Sequence, residues 1–219
     1  MRLFDVLGPV MTGPSSSHTA GAVRIGLTAR NLLGEAPKTA EILLHGSFAA
    51  TGRGHGTDRA LVAGLLGMLP DDERIPDSFS LAQQAGLDYT IGTVVLRGAH
   101  PNTALITLAD ATGRTVSVQG ASVGGGNILV TRVNGMEVQI TGQYTSLIVL
   151  HQDTPGTIAA VTELLAEGQV NICNFRLSRQ KKGGVAVMTI EMDGGFDPAL
   201  NRRIEALPHI LSSTMLLPN

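Results

Sequence analysis

The sequence predicts an α+β protein of two domains, a mixed-sheet domain over residues 1–142 and a βαββαβ module over residues 147–219. Three observations carry that expectation. Helical apolar spacing dominates the first part of the chain, strand-like segments bounded by turn residues follow, and the last third alternates strand and helix in a fixed order. With 219 residues, 43% of them hydrophobic and 16% charged, the chain has room for two compact cores and lacks the composition of a disordered one.

The first helix is expected after the stretch GPSSSHT, 13–19, where Ala20, Val23, Leu27, Leu32 and Leu33 recur at helical spacing up to Gly34. EILLHGSF, 41–48, has the character of a buried strand ending in glycine. TGRGHGTD, 51–58, then reads as a glycine-rich loop, and DRALVAGLLGML, 58–69, as a second helix with Thr57 or Asp58 as its cap. Residues 70–77 are polar and proline-containing, as a solvated linker would be. A short helix around SLAQQAG leads to strand candidates YTIGTVVL, ALITLAD, TVSVQGAS, NILVTRV and MEVQI, separated by turns such as ATGR and VNG. The two long helices should cover the resulting mixed sheet.

From residue 145 the order is strand TSLIVLHQ, helix DTPGTIAAVTELLAEGQ, strand VNICNFRLSR, turn KKGG, strand VAVMTIEMD, helix FDPALNRRIEAL and strand HILSSTML. That order is the ferredoxin-like split unit. Its open sheet edges favour pairing, so a homodimer or a larger hetero-oligomer is expected. Arg202 and Arg203 read as a solvated helix face.

Composition removes several function classes. A formal net charge of −2 and 3% aromatic residues leave neither a basic stripe nor a base-stacking platform, so no nucleic-acid partner is expected. No apolar run reaches membrane-spanning length, and Asp5, Pro9 and Pro14 interrupt any leader-like core, which gives a cytoplasmic expectation with no membrane partner. GRGHG lacks the GK[ST] ending of a phosphate loop, and the glycines of SVGGGNI, 122–128, do not have dinucleotide spacing. Lys38 beside Pro37, and Lys181 with Lys182 in a turn, offer no Schiff-base lysine for pyridoxal phosphate. Cys173 is the only cysteine, so neither a disulfide nor a thiolate cage can be built from this chain; in a strand it reads as a buried, inert thiol.

GPSSSHT is either an elaborate helix cap or part of a site, because capping takes one hydroxyl and the stretch offers four beside an imidazole. His45 is open between a satisfied core histidine and a site residue, and His100, Asn102 and Thr103 between a turn and a site. Asp153 and Thr154 fit a helix cap as well as a ligand loop.

GPSSSHT with the following AGAVRIG, LHGSFAATGRGHGTDRA, HPNT at 100–103 and SVGGGNI resemble the β chain of the bacterial iron-sulfur-dependent L-serine dehydratase, whose first domain is of the allosteric-substrate-binding type. HQDTPG and GQVNI resemble an ACT domain, a small-molecule regulatory module. The resemblance implies a lyase subunit converting L-serine to pyruvate and ammonia, with His18 and His55 as catalytic groups. Ser15, Ser16, Ser17, Thr19, Gly56 and Thr57 would then hold substrate. It further implies a 4Fe-4S cluster ligated by a separate α chain, with no metal ligand in this chain, and an amino-acid effector at Asp153, Thr154, Pro155, Gly156 and Asn171. A non-catalytic amino-acid-sensing subunit is the alternative, and the hydroxyl-rich GPSSSHT with GHGTD is what such a module would not need.

Overall fold

The computed structural model describes residues 11–13, 15–195 and 197–218. Asp5, Pro9 and Pro14, invoked against a leader segment, and Phe196, placed at a helix start, lie outside the described residues. No helix among the described residues is long and apolar enough to cross a membrane. The chain divides into two units between Gly135 and Met136.

The first unit opens with a π-helical turn, Ser16–Ala20, that runs directly into α1 (Gly21–Leu33). Left-handed Gly34, at φ 89°, stops the helix, as its position after the last periodic leucine predicts. Then come β1 (Thr39–Gly46), α2 (Ser47–His55), α3 (Thr57–Leu65), a 3-10 turn at Ile75–Asp77 and α4 (Ser78–Gln84). Four strands complete the unit: β2 (Asp88–Thr93), β3 (Asn102–Ala109), β4 (Thr115–Gly124) and β5 (Asn127–Val133). With β1 their sheet order is β2-β1-β3-β4-β5, with β1 and β2 parallel and the β1–β3, β3–β4 and β4–β5 pairs antiparallel, and β6 (Met136–Ile140) opens the second unit.

Helix α1 lies on β3, β4 and β5, and α3 packs on α1. Glycine sets how closely these elements approach. A β-carbon on Gly26 would stand 2.3 Å from the Leu61 carbonyl oxygen, and one on Gly64 would stand 2.1 Å from that of Val23. Ile25 packs on Gly120 in β4, and Gly21 lies against Ser122. The helix is thus seated backbone to backbone on its neighbours, with Val23, Ile25, Leu33, Leu61, Val62, Ile106 and Val118 fully buried around it.

Two local expectations are corrected. The glycine-rich stretch expected as a loop forms α2, because Phe48 is fully buried and Gly52 packs beside Leu44 and Thr57, so tertiary contact offsets low helix propensity. Neither Thr57 nor Asp58 caps α3. Left-handed Gly56, at φ 70°, breaks α2 and starts α3, while Asp58 accepts from its neighbour Arg59 N–H.

The second unit contains β7 (Thr145–Gln152), α5 (Thr157–Glu167), β8 (Ile172–Arg179), β9 (Val185–Met192), α6 (Pro198–Glu205) and β10 (Ile210–Leu216). These give the expected βαββαβ order in a sheet arranged β10-β7-β9-β8. Leu147, Val149, Val161, Leu165, Met188, Ile190 and Ile204 form its core. Asp197 caps α6 by accepting from Ala199 N–H, with Pro198 at the first helical position. Cys173 is exposed rather than buried, because β8 is an edge strand that also leaves Phe175 and Leu177 exposed. Partial desolvation at the strand, and then the neighbouring Asp193 and Glu191, nevertheless push its thiol upward in pKa, away from the reactive thiolate.

Candidate functional site

Strand register brings four separate sequence motifs to one end of the first sheet. Gly46 at the end of β1 pairs with Asn102 of HPNT, and Thr103 pairs with Ala121. Ser122 pairs with Ile128 and Gly124 with Asn127 across the SVGGGN hairpin. The π-turn of SSSHTA touches α2, α3 and β4 at this end. A π-turn inserts one residue relative to an α-helix, a distortion often found where a side chain is aimed for function.

Ser15 is the cap, since its hydroxyl accepts from His18 N–H at 3.2 Å. The same Oγ lies 3.4 Å from His18 Nδ1. On the other side of the ring, Nε2 lies 3.1 Å from Thr51 Oγ1 and 3.3 Å from Ser47 Oγ. Thr51 donates its proton to the Ser47 carbonyl at 2.8 Å, so its Oγ1 is free to accept from a protonated Nε2. In that tautomer Nδ1 is the lone-pair nitrogen and faces Ser15.

His18 also stacks edgewise on buried Phe48, at 5.3 Å between centroids, and lies 5.0 Å from His55 at a 43° tilt. His55, the last residue of α2, is exposed, whereas His18 is half-buried. Burial, and then repulsion by His55, hold the pKa of His18 below its ordinary 6.5. His18 is therefore neutral near pH 7 and can accept a proton.

The hydroxyls around the pair fall into two groups. Ser16 and Ser17 are half-buried, whereas Thr19, Thr57 and Ser122 are buried and carry Oγ atoms with no hydrogen-bond partner among the described residues. Buried hydroxyls are ordinarily satisfied, which sets these three, drawn from three converging motifs, apart from the other buried hydroxyls of the first unit among the described residues. Ser47 and Thr51, which hold His18, and Arg24 and Ser122 were not singled out by sequence reasoning; Ser47 and Thr51 could have been found from their i, i+4 spacing on a helix, had α2 been recognised.

Two other histidines are tied to backbone. His45 Nδ1 accepts from Leu96 N–H at 3.2 Å, and His100 Nδ1 accepts from Asn102 N–H at 3.1 Å within its turn. In the second unit Asp153 accepts from Gly183 N–H at 3.0 Å and pairs with Arg179 at 2.8 Å. Those bonds, the backbone one foremost, hold its carboxyl below the usual 3.8. Thr154 bonds Thr157 at 2.8 Å, Pro155 and Gly156 are exposed, and Gly156 rather than a side chain caps α5. Asn171 donates to Asp193 at 2.6 Å beside the Ile172–Met192 pair. That is the opposite end of the sheet from Asp153, so one module does not bring Asn171 together with the loop at 153–156.

Among the described residues no group of three His, Cys, Asp or Glu could hold a metal ion.

Residues 3–91 match the serine dehydratase beta chain family, and residues 147–212 match the AHAS small subunit-like ACT domain. A probable L-serine dehydratase beta chain from Bacillus subtilis is 42% identical over 214 residues, covering 98% of this chain and 97% of that protein. The L-serine dehydratase beta chain of Peptoniphilus asaccharolyticus is 40% identical, covering 92% of this chain and 91% of its own length. L-serine dehydratase 2 of Escherichia coli is 43% identical over 107 residues, which are 46% of this chain and 22% of that protein. With near-complete mutual coverage at these identities, the chain belongs to the family of L-serine dehydratase beta chains.

Proposed function

We propose that the chain works with a cluster-bearing α chain to convert L-serine to pyruvate and ammonia, supplying the proton-transfer half of the site. The observation that carries this reading is the neutral, half-buried His18 held between Ser15, Ser47 and Thr51 at the convergence of four motifs. His18 Nδ1 accepts the α-proton of serine, and the imidazolium so formed is stabilised by its Nε2 bond to Thr51. The β-hydroxyl departs as water by taking one proton from solvent, which balances the one His18 passes on, and leaves an enamine that tautomerises to the imine and is hydrolysed to pyruvate and ammonia. Exposed His55, next to His18, passes the proton to solvent. Ser16, Ser17, Thr19, Gly56 and Thr57 line the substrate side.

A 4Fe-4S cluster does not fit this chain. It needs several thiolates, and the sequence holds only Cys173, on an exposed edge strand of the second unit. The cluster belongs to the α chain in this reading, where it supplies the Lewis acid for the leaving hydroxyl. The second unit is a regulatory ACT module over 147–219. Because Asn171 and the loop at 153–156 lie at opposite ends of one module, an amino-acid effector touching both requires two copies, which favours a homodimer within the hetero-oligomer. The complex is cytoplasmic in this proposal.

The test is anaerobic co-expression with the α chain and a pyruvate assay of wild type, His18→Ala and His55→Ala. The expected result is loss of at least about a hundredfold in kcat for His18→Ala, in the range of general-base contributions, and a smaller loss for His55→Ala. Full activity in both variants refutes the assignment.

A further inference from the structure

Arg24 stands on the second turn of α1, half-buried, and donates through Nη1 to the Gly126 carbonyl at 2.7 Å. No carboxylate among the described residues pairs with it. Burial lowers the guanidinium pKa, with no acidic neighbour among the described residues acting on it. A partly desolvated cation without a counter-charge is costly unless a ligand supplies one.

The surroundings are those of an anion subsite. Gly124, Gly125 and Gly126 all adopt left-handed φ, at 104°, 61° and 80°, which turns the SVGGGN hairpin tightly beside the guanidinium. Gly126 uses its carbonyl to hold Arg24 in place, and a guanidinium keeps further N–H groups for a bidentate partner. Ser122, on the same hairpin, is fully buried, its Oγ has no hydrogen-bond partner among the described residues, and it lies against Gly21, one turn before Arg24 on α1. Arg24 and the Ser122 hydroxyl therefore both lie at the end of the sheet that carries His18.

We propose that Arg24, held by Gly126 and assisted by the Ser122 hydroxyl, binds the carboxylate of the amino-acid substrate. The inference rests on the reading of the chain as the β subunit of an L-serine dehydratase. A carboxylate of the α chain would present the same chemistry from a different source, and the arms of the test separate the two.

The experiment uses the assembled αβ enzyme with wild type, Arg24→Gln, Arg24→Lys and Ser122→Ala, measuring kcat and KM for L-serine and co-purification of the α chain. Two inhibitors are compared: D-serine, which keeps the carboxylate, and 2-amino-1,3-propanediol, which lacks it. Loss of a charge-assisted bond corresponds to roughly a tenfold to hundredfold weakening. The expected result is a KM for L-serine and a Ki for D-serine raised by that factor in Arg24→Gln, partly restored in Arg24→Lys, and raised less in Ser122→Ala. The propanediol Ki and α-chain recovery stay unchanged. An unchanged KM, an equal weakening of both inhibitors, or loss of the α chain with normal KM in the remaining complex overturns the proposal. Wild type that makes no pyruvate from serine would instead refute the underlying function.

Discussion

Adding one methyl group at Gly64 tests whether α1 is held in place by glycine contact. The added β-carbon would stand 2.1 Å from the Val23 carbonyl oxygen and 2.7 Å from the Leu27 amide nitrogen, both backbone atoms of α1. Ordinary contacts of this kind need about 3.5 Å, so the two helices must separate by roughly 1 Å. Overpacking costs about 1–3 kcal/mol, and backbone against backbone belongs at the upper end. Alanine returns about 1 kcal/mol of helix propensity, which leaves a net destabilisation of about 2 kcal/mol. Gly54→Ala is the control, since a β-carbon there meets nothing within 4 Å and the residue is helical. It should stabilise by up to about 1 kcal/mol. The two variants then differ by about 3 kcal/mol, or roughly 6–12 °C in melting temperature for a chain of this size. Thermal unfolding of the isolated chain, followed by circular dichroism, measures both. A Gly64→Ala protein that melts at or above the wild-type temperature refutes the packing argument.

Three further outcomes concern His18. Because a positive His55 disfavours a positive His18, His55→Gln should move the acid limb of the kcat/KM profile upward, but not to 6.5, since burial remains the larger cause. The unfolded chain takes up a proton that native His18 resists, so native stability should fall as pH drops below 6.5, and this fall should be smaller in His55→Gln. Ser15→Ala removes both the cap and the Nδ1 neighbour, and should cost about 0.5–2 kcal/mol by chemical denaturation together with a fall in kcat, whereas a cap-only role would leave kcat unchanged.

The second unit was legible in the sequence because each of its elements carries its own local punctuation. Asp197-Pro198 starts α6, KKGG turns β8 into β9, and continuous apolar runs mark the central strands β7 and β9, so nothing distant had to be known. The helix α2 was not legible, because Gly52, Gly54 and Gly56 within five residues signal a loop. What makes it helical is the burial of Phe48, a tertiary fact. Cys173 failed for the complementary reason: its strand was recognised, but its edge position depends on the sheet order β10-β7-β9-β8. At the candidate site the residue types could be read from GPSSSHT and GHGT, and the His18–His55 contact could not. It depends on β1 placing α2 beside a π-turn that lies 29 residues away in sequence, as the Ser47 bond to His18 shows.

The two histidines are held by different means, and that difference supports different tasks. His18 sits where the π-turn enters α1, and α1 is fixed by Gly26 and Gly64 against α3, by Gly21 against Ser122 and by Ile25 on Gly120. Three hydroxyls then fix the ring itself. A group that must meet a carbon-bound proton in one geometry gains from such support, because misplacement by about 1 Å can cost a hundredfold in rate. His55 ends a short helix whose two flanking glycines, Gly46 at φ 58° and Gly56 at φ 70°, adopt conformations that other residues rarely take. Its exposed ring has contact with His18 but no hydroxyl cage among the described residues. Passing a proton to water requires proximity more than fixed aim. The proposed function takes His18 as the base and His55 as the relay on this ground, and exchanging the two roles would place the rigid imidazole where rigidity has no use.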